Sequence, residues 1–200
     1  MSAQGPVIVI APLPSVLPRG RERVELQRDH ARRAVRRSAL AQNAPRLALR
    51  KNVDEVPQPD QGWHWSLSHS PSRVAGVVSP SRVGVDVEEA RAVRADMIDR
   101  ILDEREKALF EERGEDGFLR TWTGKEALLK EFGVGLQALS RCRIERVDAD
   151  TLELRFDGQR RVVYQRFFPD HVVSICSQDS SEPRYEVWDA PLAPSEERAP

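Results

Sequence analysis

Residues 82–88 read RVGVDVE. In a strand, Val83, Val85 and Val87 fall on one face, and Gly84, Asp86 and Glu88 on the other. Two residues of strand rise put the Asp86 and Glu88 α-carbons about 6.8 Å apart, within reach of one shared ion. Asp and Glu are poor strand formers, so two of them on one strand face need a reason. Oxygen donors without His or Cys favour Mg2+ over Zn2+. The competing reading is a solvent-facing strand with two ordinary acids.

The pattern around this strand is also of period two. Trp63, Trp65 and Leu67 alternate with His64, Ser66 and Ser68, and residues 74–79 (VAGVVS) form another strand. Pro80-Ser81 turns the chain into RVGVDVE, so the three runs read as an antiparallel meander. Upstream, residues 6–11 (PVIVIA) form a first strand, and residues 22–42 a helix without Gly or Pro. Residues 43–62 contain Pro45, Pro57, Pro59 and Gly62 and read as a loop. Downstream, helices are expected over 95–112 and 117–132, then strands over 142–147, 151–156, 161–168 and 171–176. Asp157-Gly158 and Pro169-Asp170 mark turns between them. A last short strand at Tyr185–Trp188 lies in a Pro-, Glu-, Asp- and Ser-rich tail, 178–200, expected to be partly flexible.

The helical segment FLRTWTGKEALLKEFGVGL (118–136) supplies a third carboxylate. Trp122, Glu126 and Lys130 follow at i, i+4 and i+8 on one helix face. Glu126 can join Asp86 and Glu88 at a metal, and Lys130, one turn on, can meet a phosphate or move a proton. Two structural alternatives compete. Thr123-x-x-Glu126 matches a capping box, and Glu126 to Lys130 is a routine helical ion pair worth only about 0.2–0.5 kcal/mol.

In SLSHSPSR (66–73), Ser68 and His69 stand at a strand end before Pro71, where a hydroxyl and an imidazole can touch a phosphate. A Ser–His hydrolytic pair is disfavoured, because adjacent strand residues point to opposite faces and no nucleophile elbow surrounds Ser68. The segment 19–51 is rich in arginine, and Arg28, Arg32 and Arg36 form an i+4 stripe. Such a stripe suits a multiply phosphorylated ligand or an acidic partner; otherwise it is a solvated helix face. No aromatic residues interleave with the arginines, which argues against nucleic acid.

Composition sets outer limits. The 200 residues allow one large domain or two small lobes. A net charge of −1 gives no overall attraction to nucleic acid or to a membrane. Cys142 and Cys176 have no metal-binding spacing and read as buried thiols in a reducing compartment. No run approaches the length of a membrane span, and the apolar start is too short for a signal sequence, so the cytoplasm is expected.

Taken in order, S-L-S-H-S, then G-V-D-V-E, then W-T-G-K-E-A-L-L-K with G-x-G-L following, resemble the 4′-phosphopantetheinyl transferase superfamily, in its larger two-lobed form. The likeness covers roughly residues 60–140. It implies an α+β fold of two similar lobes related by a pseudo-twofold, each a small antiparallel sheet packed on helices. A shortened first lobe would cover 1–80, and a second lobe with the metal site 81–177. The implied activity moves the phosphopantetheine arm of coenzyme A to a serine of an acyl, peptidyl or polyketide carrier protein, releasing adenosine 3′,5′-bisphosphate. The resemblance gives Asp86, Glu88 and Glu126 to Mg2+ and makes Glu126 the base for the carrier serine. Lys130 would contact the transferred phosphate and could protonate the leaving group. Ser68, His69 and Lys125 would contact coenzyme A, and Arg32 and Arg36 are its first-lobe candidates. One chain holding both lobes implies a monomer. The usual G-K-P stretch upstream of the Ser-His element is absent, replaced by VPQPDQGWHW. Arg46, Arg50 and Lys51 are the nearby basic residues that could replace its lysine. The alternative is a non-catalytic module that binds a carrier or coenzyme A on the same fold.

Overall fold

A computed structural model describes residues 5–90, 98, 101–110 and 115–191. Two sheets and their helices make a mixed α+β fold. β1 (Val7–Pro12), α1 (Gly20–Ala41), β2 (His64–His69), β3 (Arg73–Ser79) and β4 (Val83–Glu89) form the first half. α2 (Glu104–Phe110), α3 (Glu115–Phe132), a 3-10 turn (Leu136–Arg141), β5 (Cys142–Val147), β6 (Thr151–Phe156), β7 (Gln159–Phe167), β8 (His171–Ser177) and β9 (Arg184–Val187) follow.

The three strands expected as one meander divide between the sheets. β2 and β3 pair antiparallel in a sheet of order β2-β3-β1-β9, whereas β4 pairs with β8 in a sheet of order β4-β8-β7-β6-β5. The reason lies in β4, which is buried on both faces from Val83 to Val87 and so needs a layer on either side. Val83, Val85 and Val87 share one apolar core with Val173 and Ile175 of β8 and with Ile8, Ile10, Ala75 and Val77 of the first sheet. The opposite face, with Gly84, Asp86 and Glu88, lies under α3.

A helix covers the outer face of each sheet. Ala31 and Ala34 of α1 pack on Val9, Ala11 and Val74, and Val35 and Ala39 pack on Trp65 and Val78. Ala127, Leu128 and Leu129 of α3 pack on a core that includes Ile144, Leu152, Leu154, Phe156 and Val163. The approach of α3 to β4 is so close that a Cβ on Gly84 would lie 2.0 Å from the Ala127 carbonyl oxygen and 2.4 Å from the Glu131 nitrogen. Backbone cannot yield as a flexible side chain does, so Gly84→Ala should lift α3 off the strand. Urea unfolding should show a loss of at least about 1–3 kcal/mol. Unchanged stability would contradict this packing.

Other boundaries differ for local reasons. The helix expected over 95–112 lies partly outside the described residues, and within them it is broken at Leu102–Asp103. There the Glu106 N–H donates to Asp103 Oδ1 (2.8 Å) and the Asp103 N–H to Glu106 Oε2 (3.2 Å), a capping box that starts α2 afresh. The capping box that competed as a reading of Thr123 and Glu126 does not form. α3 begins at Glu115, and the Thr123 hydroxyl donates back to the Leu119 carbonyl inside the helix. The short C-terminal strand spans Arg184–Val187 and pairs in parallel with β1, while the tail beyond residue 191 lies outside the described residues. Arg37 of α1 fastens this strand by pairing with Glu186 (2.8 Å) and stacking on Trp188. Among the described residues no helix is long and apolar enough to cross a membrane.

Candidate active site

The outward edge of β4 faces β2, and two serines of β2 close the gap. The Val85 N–H donates to Ser66 Oγ (3.1 Å), and the Ser68 hydroxyl donates to Asp86 Oδ1 (2.8 Å). Asp86 is 3% exposed, which rules out a solvated surface acid. Above it, the helical spacing brings Lys130 to the same carboxylate, with Nζ 2.6 Å from Asp86 Oδ1 and 3.3 Å from Ser68 Oγ. Glu126, one turn back, has an oxygen 3.7 Å from the Lys130 ammonium. Trp122, a further turn back, donates its indole N–H to Glu88 Oε1 (3.2 Å) and so orients that side chain. Ser68, Asp86, Glu88, Glu126 and Lys130 therefore meet where β2, β4 and α3 converge.

Charge is concentrated here. Burial pushes the Glu126 carboxyl up to about 7, with Asp86 and Glu88 adding to the rise and Lys130 opposing it. Burial works against the Lys130 ammonium, but Asp86 and Glu126 outweigh it and hold its pKa above the usual lysine range. His69 moves the other way. Burial lowers its pKa, and the cations Lys130 and Arg28 lower it further. A neutral imidazole under the influence of two cations is a receptive place for an anion. Alternation along β2 sends Ser68 and His69 to opposite faces, Ser68 to Asp86 and His69 to the α1 side, where Arg28 acts on it.

One of the expected ligand contacts, Lys125, is turned away from the carboxylates. Lys125 is 1% exposed and bonds to the Ile101 carbonyl and Glu106, on the far side of α3 from the carboxylates. A ligand contact by Lys125 does not fit this burial, because a residue one step along a helix is turned about 100° from its neighbour. Arg32 is exposed and Arg36 half-buried on α1. Arg28, in the same stripe, is the arginine whose charge reaches His69. Trp122 was placed on the Glu126 face by spacing, but its bond to Glu88 needed the fold. The two thiols, Cys142 and Cys176, are buried, and burial raises both pKa values, Cys142 to about 12.

Among the described residues, no three His, Cys, Asp or Glu side chains already form a metal cage, and Lys130 takes one oxygen of Asp86. The other oxygen, Asp86 Oδ2, is buried with no hydrogen-bond partner. An unsatisfied carboxylate oxygen beside two further acids fits a hard cation.

Known proteins resemble this chain over the part that holds the carboxylates. The family model of the 4′-phosphopantetheinyl transferase superfamily matches residues 82–181, a span that holds Asp86, Glu88, Glu126 and Lys130 but not Ser68 or His69. A 4′-phosphopantetheinyl transferase, psf-1, of Bacillus pumilus is 31% identical over 130 residues, covering 62% of this chain. The match covers 51% of that relative, so the chain corresponds to about half its length. By the span of the family match and the fold around its carboxylates, this chain belongs to the 4′-phosphopantetheinyl transferase superfamily.

Proposed function

We propose that this chain transfers the 4′-phosphopantetheine arm of coenzyme A to a serine of a carrier protein, with Mg2+ as cofactor. The supporting observation is the Lys130 ammonium held 2.6 Å from Asp86 Oδ1, with a Glu126 oxygen 3.7 Å from the same ammonium. A carboxylate base and a fixed cation a few ångströms apart suit an alcohol attacking a phosphate ester.

Asp86, Glu88 and Glu126 would hold Mg2+, which neutralises charge on the pyrophosphate when bound. Glu126 takes the proton from the carrier serine Oγ, and that oxygen bonds to the phosphorus bearing the pantetheine arm. The bond from that phosphorus to the bridging oxygen breaks, and its electron pair leaves with adenosine 3′,5′-bisphosphate. Lys130 stabilises the charge arriving on that oxygen. Ser68 holds Asp86 and Lys130 in register, and neutral His69 with Arg28 receives a coenzyme A phosphate. The carrier supplies the nucleophile, so the enzyme needs none of its own. Both lobes come from one chain, so the protein acts as a monomer, in the cytoplasm where coenzyme A and carriers meet.

The test is incubation with a fluorescent coenzyme A analogue, Mg2+ and a panel of acyl, peptidyl and polyketide carriers, read on a denaturing gel. A labelled carrier band is expected. Tight carrier binding by calorimetry without labelling would replace this reading with a binding module. Release of phosphopantetheine without any carrier would replace it with a hydrolase.

A further inference from the structure

Lys125 and Glu106 form an ion pair in the interior, 1% exposed at each residue. Lys125 Nζ donates to Glu106 Oε2 (2.7 Å) and to the Ile101 carbonyl (2.8 Å). Glu106 Oε1 accepts the Ile144 N–H at the start of β5 (3.1 Å), and its Oε2 accepts the Asp103 N–H. Three separate segments, the Ile101–Glu106 corner, β5 and the middle turn of α3, thus meet at one pair of charges.

Stability alone is a weak reason for such a pair, because well-packed apolar residues of similar volume often do as well or better. Apolar contacts are also non-directional, whereas an ammonium with two fixed acceptors constrains how a helix can turn and slide. The turn of α3 so constrained is the one that carries Glu126. Its other side is fixed by the Ser174 hydroxyl donating to Thr123 Oγ1 (2.8 Å), and its underside by the bare Gly84.

We propose that the buried Lys125–Glu106 pair positions Glu126 against Asp86, making Lys125 and Glu106 positioning residues for arm transfer and metal binding. The inference rests on the transferase reading for its activity arm only. Misplacing a reacting group by about 1 Å can cost about 10²-fold in rate.

The deciding variant is the double replacement Lys125→Met with Glu106→Gln, which removes both charges together while the amide oxygen still accepts the Ile144 N–H. Its thermal midpoint should stay within a few degrees of wild type. Its kcat should fall at least about tenfold with the KM for coenzyme A within about twofold, as expected when orientation and not binding is lost. Its Mn2+ affinity, read by electron paramagnetic resonance without substrate, should also fall about tenfold. Lys125→Arg, which keeps the charge, should recover part of both losses. A folded double variant with wild-type kcat and Mn2+ affinity overturns the proposal and leaves the transferase reading standing. A wild-type chain that labels no carrier removes the transferase reading, and the Mn2+ arm then decides the positioning by itself. A wild-type chain that also takes up no Mn2+ overturns both.

Discussion

Asp86→Ala should lower arm transfer by at least about 10³-fold, since one positioned electrostatic group is already worth about 10²–10³ and Asp86 serves two. Its Oδ2 is buried and unpartnered, the oxygen left for the proposed metal, and its Oδ1 anchors Lys130 at 2.6 Å. Without Asp86, the largest influence that keeps Lys130 charged disappears, and burial, which opposes the charge, gains weight. Ser68 loses its acceptor as well. The fold should persist, because Lys130 keeps Glu126 nearby and β4 keeps both of its apolar layers. Asp86→Asn, which preserves shape, should lose nearly as much activity. The check is steady-state labelling of one carrier beside circular dichroism of each variant. A folded Asp86→Ala protein with more than a tenth of wild-type turnover would remove Asp86 from the centre of the site.

The carboxylates were legible in sequence because two periodicities carry geometric information. Period two placed Asp86 and Glu88 on one face of β4, and the i+4 spacing placed Glu126 and Lys130 on one face of α3. Alternation does not say which strand a strand pairs with. β4 therefore looked like the third member of a local meander, although its partner β8 lies some ninety residues later in the chain. The parallel pairing of β9 with β1 is more distant still and leaves no local trace. Lys125 shows the opposite lesson. The same spacing that gathers Trp122, Glu126 and Lys130 turns Lys125 away from them, so its burial was implicit in the helix. The family likeness, by contrast, carried it toward the ligand. Among the arginines, spacing gave the stripe but not the turn nearest His69, and α1 brings Arg28 there.

Glu126→Gln should have effects of opposite sign on activity and on stability. Loss of the proposed base should lower transfer by about 10²–10⁴-fold. Stability without metal should rise, and the direction follows from proton binding. The folded chain holds the Glu126 proton up to about 7, while the unfolded chain releases it in the ordinary carboxylate range. Between those limits the folded state binds more protons, so wild-type stability falls as pH rises through that window and is level above it. Gln carries no charge to desolvate and does not repel Asp86 or Glu88. At pH 8 the variant should therefore be more stable, by up to about 3 kcal/mol at about 1.4 kcal/mol per pKa unit. The difference should shrink towards pH 4.5 and vanish below it. Saturating Mg2+ should narrow or reverse the order, because an ion that needs the ionised carboxylate stabilises the wild-type chain more. Thermal unfolding at pH 5 and pH 8, with and without Mg2+, measures all four states. If Glu126→Gln is destabilised at pH 8 without metal, the cluster is not held against its own repulsion. Glu126 would then be a helix-surface acid paired with Lys130 and not the third member of a metal site.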